Sequence, residues 1–94
     1  MTPENDAAED PDEVRRRRVR FRCWHRGTKE LDLLMGPFAD RYLGEFTSPQ
    51  LDQIEDLLTR PDLDLYNWIT RQEAIPSDAD CEVLRLIIEF HNDR

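Results

Sequence analysis

Apolar residues along this chain recur at intervals of three and four, and nowhere alternate with period two, so the pattern predicts helices and no strand. Leu31, Leu34, Met35, Phe38 and Tyr42 form one core-facing stripe, and Leu51, Ile54, Leu57 and Leu58 a second. Val83, Leu84, Ile87, Ile88 and His91 form a third, at the end of the chain. Leu65, Trp68 and Ile69 mark a short helix ahead of it, and Val14, Phe21 and Trp24 fall near one face of an opening helix. The expected fold class is all-α: a compact five-helix bundle with short connections, in one small domain.

Local signals place the boundaries. Asp12 is a cap for the first helix, with Glu13 at its positive end, and Gly27 is a stop, because glycine takes a left-handed C′ conformation without steric cost. Thr28 caps a second helix running to about Gly44, in which Pro37 predicts a kink or a break; the stripe continuing past it favours a kink. Ser48 with Pro49 starts the third helix, Asp64 the fourth, and the capping-box spacing of Ser77 and Asp80 the fifth. Residues 1–12 read as a disordered acidic tail, with the helical domain over 13–94.

Composition sharpens this picture. Of 94 residues 38% are hydrophobic and 36% charged, which suits one small core with a wet exterior. No apolar run approaches a membrane span, and the acidic start resembles neither a signal peptide nor an organelle presequence, so a cytoplasmic protein is expected. Cys23 and Cys81 are widely spaced and read as reduced thiols, and His25 and His91 have no companions at metal-ligand spacing.

The net charge of −8 is unevenly spread. Residues 14–29 carry eight bases and no acid, whereas residues 30–94 carry fifteen acids and five bases. The run "RRRRVRFR" has phosphate-contacting and stacking residue types. A negative overall field opposes a polyanion, however, so protein contact or solvation is the expected use of these arginines and nucleic acid is not an expected partner. No catalytic residues are assigned, because no GxSxG, HExxH or paired cysteine is present. Gly27, Gly36 and Gly44 stand singly and form no phosphate-binding loop.

One short stretch, "HRGTKELD" from His25 to Asp32, has two readings. As plain structure it is a helix stop, a cap and a first turn, with Arg26 left over as solvated charge. As a recognition surface it offers Arg26, Gly27, Thr28, Lys29 and Glu30 at one corner. Those five residues, "RGTKE", are similar to the RGxxE motif of the flavinylation assembly factors of succinate dehydrogenase, the SdhE family. "ELDLLMGPF" resembles the family's stretch from that glutamate to a Pro-Phe pair, and "DLYNW", Asp64 to Trp68, its D-[LI]-[YF]-x-W signature. The three segments occur in order across residues 14–92.

The resemblance implies a small five-helix protein, monomeric when free, that binds the flavoprotein subunit of succinate dehydrogenase or of a fumarate reductase. It implies promotion of covalent FAD attachment to a histidine of that subunit, through the flavin 8α-methyl, by holding the partner in a productive conformation. On this reading the chain is not an enzyme and binds no cofactor stably. Arg26, Gly27, Thr28, Lys29, Glu30 and Tyr66 would face the partner: Arg26 as a forked donor, Gly27 by close backbone approach, and Glu30 by pairing with a partner cation or with Arg26. Asp64 and Trp68 suit capping and core packing as well as contact. The alternative is an antitoxin-like or regulatory protein-binding module.

Overall fold

The computed structural model describes residues 10–92. Among these residues are five helices and no strand: α1 Pro11–Trp24, α2 Lys29–Tyr42, α3 Ser48–Leu57, α4 Asp62–Ile69 and α5 Glu82–Asn92, with a 3-10 turn, Leu43–Glu45, after α2. The five-helix fold is the one that the apolar periodicity predicts. Of the tail expected over residues 1–12, residues 1–9 lie outside the described part, and its last residues begin α1. Asp10, not Asp12, is the cap, accepting the Asp12 N–H at 3.0 Å, with Pro11 at the first helical position.

α1 packs chiefly on α2, and α5 lies across α2, α3 and α4. Every helix contributes to one core. Phe38 is fully buried, with ring centroids of Tyr42, Phe46 and Phe90 4.9, 6.0 and 5.7 Å away.

The buried side of α1 is not the predicted one. Val19 and Cys23 are enclosed, while Phe21 is 64% exposed and Val14 sits at the surface. Polar anchors and a close packing contact turn the helix this way. Arg15 bonds Ser48, Asp52 and Glu55 on α3, and Arg16 donates to the carbonyls of Leu43 and Phe46 at 3.0 and 2.9 Å. Trp24 packs against Gly36, where a Cβ would come within 2.5 Å of three indole carbons, and its N–H donates to Asp40 Oδ1 at 3.2 Å. Much of the arginine run therefore fastens α1 to the acidic half of the chain.

Other boundaries shift for identifiable reasons. α2 runs unbroken through Pro37. The carbonyl that loses its N–H partner belongs to Leu33, on the solvent side. Thr47, not Ser48, caps α3 in a reciprocal box with Gln50. Asp64 is no cap: α4 starts at Asp62 behind Pro61, with no side-chain cap. Ser77 and Asp80 form no capping box. Residues 77–79 make a turn in which the Ala79 and Asp80 N–H groups donate to the Pro76 carbonyl. α5 starts at Glu82, and the Val83 N–H is satisfied by Gln53 Oε1 of α3 at 3.0 Å.

Candidate functional site

The corner between α1 and α2 is built from residues 25–28. Gly27 has φ +110°, a region closed to most side chains, and is exposed, with nothing within 4 Å of where a Cβ would stand. Its backbone shape, not crowding inside the molecule, demands glycine. Thr28 caps α2 by accepting the Leu31 N–H, as its position predicts.

Arg26 is not solvated surface. Its side chain is 11% exposed and lies across the α3–α4 connection. Nη1 donates to the Leu58 carbonyl at 2.6 Å, Nη2 to the Arg60 carbonyl at 3.0 Å, and Nε to Asp62 Oδ1 at 3.0 Å. The guanidinium thus satisfies carbonyls at the negative end of α3 and neutralises an acid in the first turn of α4. The Arg26 N–H donates to Asp32 Oδ1 at 2.7 Å, which fixes the corner to α2 as well. Its ion pair within the molecule is with Asp62, not with Glu30.

This clamp sets α4 beside the start of α2 and leaves a groove of about 500 Å³ lined by Thr28, Glu30, Asp62, Leu63 and Tyr66. Glu30 and Lys29 are exposed, and neither has a hydrogen-bond or ion-pair partner among the described residues. Tyr66 packs one side on the core and leaves its hydroxyl unpartnered among the same residues. Leu63 is 68% exposed, the most exposed large apolar side chain described.

Of the residues singled out in the sequence, the structure brings Thr28, Glu30 and Tyr66 to this groove, with Gly27 at the adjoining apex and Lys29 beside it. Trp68 is buried in the core and Asp64 does not line the groove, although both lie in the "DLYNW" segment. Asp62 and Leu63 were missed. Leu63 carries a readable signal: two residues before the buried Leu65, it falls on the opposite face of a helix whose inward stripe is already complete.

The groove joins an apolar wall to an unpaired carboxylate and a free phenol. Its one aliphatic hydroxyl, on Thr28, is engaged as a cap. It is equipped to hold a protein segment, and no nucleophile–base pair lies within it.

A family model described as flavinator of succinate dehydrogenase matches residues 17–91. The chain is 37% identical over 82 residues to the FAD assembly factor SdhE of Acetobacter pasteurianus, covering 87% of this chain and 75% of that protein. It is 44% identical over 81 residues to succinate dehydrogenase assembly factor 2, mitochondrial, of Scheffersomyces stipitis, covering 82% of this chain and 54% of the relative. With succinate dehydrogenase assembly factor 2-A, mitochondrial, of Drosophila ananassae the identity is 35% over 83 residues, covering 86% and 53%. The chain thus spans about half the length of these mitochondrial relatives and three-quarters of the Acetobacter one.

Proposed function

The chain belongs to the family of flavinators of succinate dehydrogenase, and from that premise we propose that it binds the flavoprotein subunit of that enzyme and promotes covalent attachment of FAD to it. The observation that carries the proposal is the corner itself. Arg26 is consumed inside the fold, so the matched motif presents Gly27, Lys29 and Glu30 outward, beside the groove walled by Leu63 and Tyr66.

The proposed action is positioning. FAD supplies the reactive 8α-methyl and the client supplies the histidine, so the helper has only to favour the client conformation in which they meet. FAD itself fits this chain poorly. The unpaired Glu30 on the groove would repel a pyrophosphate, and among the described residues no helix N-terminus follows a glycine-rich loop. The flavin is therefore assigned to the client and no stable cofactor to this chain, which works without catalytic residues of its own.

The proposal includes a monomer in the free state, the cytoplasm as its compartment, and a fumarate reductase flavoprotein as a second client. Among the described residues no helix is long and apolar enough to cross a membrane. Mixing purified protein with unflavinylated flavoprotein subunit and FAD tests the reading. A one-to-one complex and faster acid-stable flavin incorporation are expected; incorporation at the same rate with and without the protein contradicts it.

A further inference from the structure

A second groove, sharing no residue with the first, lies where α4 turns into the segment leading to α5. It has a volume of about 430 Å³ and is lined by Trp68, Arg71, Gln72, Glu73, Ile75 and Ile88, among others. Three features set it apart from ordinary surface.

Trp68 is only 6% exposed, yet its indole N–H has no hydrogen-bond partner among the described residues. Buried indoles ordinarily find an acceptor, and leaving one without is unfavourable. The other tryptophan obeys the rule, with Trp24 donating to Asp40.

Arg71 has φ +64° and is the one non-glycine residue with positive φ among those described. It stands just past the end of α4, where glycine is the usual occupant. Its backbone is held there by its own N–H to the Trp68 carbonyl at 3.2 Å, and by the Gln72 and Glu73 N–H groups to the Asn67 carbonyl at 2.7 and 3.2 Å. The turn is thus fixed with a strained arginine in it, although glycine would fit without strain.

The guanidinium gained by that choice is exposed and pairs with nothing among the described residues, not even Glu73 on the same rim. Elsewhere the arginines are largely consumed: Arg15, Arg16, Arg26, Arg60 and Arg85 all bond acceptors of the chain. An unpaired cation on a rigid turn, a buried unsatisfied donor and the aliphatic walls Ile75 and Ile88 are complementary to one chemistry. That is an anionic acceptor on an apolar peptide. A bare inorganic anion would leave the aliphatic walls without a partner.

We propose that this groove docks an acidic side chain of a partner protein next to an aliphatic residue, with Arg71 receiving the carboxylate and the Trp68 indole N–H donating to the adjoining peptide carbonyl. The surface is independent of the corner and of any reading of what the corner does. The fixed turn orders the Arg71 backbone in advance, so only side-chain freedom is lost when it pairs.

The test is a titration of the full ¹⁵N-labelled chain with the capped dipeptide acetyl-Leu-Glu-amide, following the two indole N–H signals, with acetyl-Leu-Gln-amide as the neutral counterpart. The expected result is a saturable shift of the Trp68 signal with the Trp24 signal still, and binding of the glutamine peptide weaker by about tenfold. Arg71→Gly relieves the backbone strain, so its melting temperature should hold or rise while the preference for glutamate disappears. Arg71→Gln should lose the same preference without the change in backbone. An unmoved Trp68 signal, equal binding of the two peptides, or undiminished glutamate preference in Arg71→Gly overturns the proposal.

Discussion

Arg26 and Asp62 lie thirty-six residues apart in sequence and are joined by the Arg26 Nε and Nη2 groups, both on one Asp62 oxygen. The pair couples the corner after α1 to the first turn of α4, and so determines the width of the groove between α2 and α4. The arginine of the matched motif is thereby a brace for the surface that its neighbours present.

Removing that brace should cost stability as well as partner binding. Arg26→Ala leaves the Leu58 and Arg60 carbonyls and Asp62 without their donor, and should cost about 2–3 kcal/mol in urea unfolding. Arg26→Lys should recover only part, because a point ammonium does not reproduce the fork that meets three acceptors. Asp62→Asn combined with Arg26→Ala should be clearly less than additive. Strict additivity would show that the two do not act together.

Gly27 should behave in the opposite way. With open space around it, substitution costs only the strain of its positive φ, about 1–3 kcal/mol. Gly27→Ala and Gly27→Arg should therefore melt within a few degrees of each other and keep the helical circular dichroism. Affinity for the flavoprotein subunit should nonetheless fall with the size of the new side chain. Equal affinity of the two variants would mean that the apex does not face the partner.

Gly36 supplies the contrast, since its neighbour is Trp24 and not solvent. Gly36→Ala should destabilise by about 1–3 kcal/mol, because a Cβ would come within 2.5 Å of the indole and Trp24 would have to shift. Gly44→Ala, with nothing nearby, should be close to neutral. Thermal melts of the two variants side by side check this.

These three glycines show what was legible in the sequence and what was not. α1 already ends at Trp24 with His25 as its cap, so Gly27 lies one residue past the C′ position expected for it and shapes the corner instead of stopping the helix. Its positive φ nonetheless follows from local chemistry alone, as do the stripes of α2, α3 and α5. The role of Gly36 does not, because it depends on a tryptophan twelve residues earlier on another helix. Caps divide in the same way. Thr47 with Gln50 is a readable capping box that the adjacent Ser48–Pro49 pair obscured, whereas the cap on Val83 comes from Gln53 of α3, which no local pattern announces. The burial of α1 was misjudged because its arginines looked like solvent-facing charge. Arg15 and Arg16 in fact bond α3 and the turn after α2, and their hold puts Val19 and Cys23 inside. The RGxxE-like stretch pointed to this corner, but it could not show that Arg26 turns inward while Leu63 turns out.

Cys23 makes stability depend on alkaline pH. Burial pushes its thiol from 9.0 up to about 12, against smaller opposing effects of Arg26 and Arg22. A thiol raised in the folded state holds its proton while the unfolded chain loses it, so its stabilisation is full below about pH 9 and is lost as pH rises towards 12. The slope from this group should be about 1.4 kcal/mol per pH unit in that window and should vanish in Cys23→Ala. In native protein at pH 8, iodoacetamide should label Cys81, which is half-buried, well before Cys23. Equal labelling rates would contradict the burial argument.

The most direct test of the central claim is made in cells lacking this protein and carrying restored copies of wild type, Gly27→Arg or Gly36→Ala. Lysates are denatured and run on a gel, and flavin fluorescence is read on the band of the dehydrogenase flavoprotein. The account predicts a dim band without the protein and a bright one with wild type. It also predicts a dim band with Gly27→Arg although that variant accumulates as folded protein, and with Gly36→Ala a band dimmed only as far as that variant's folded level falls. A bright band in the cells without the protein, or with Gly27→Arg at wild-type intensity, would contradict it.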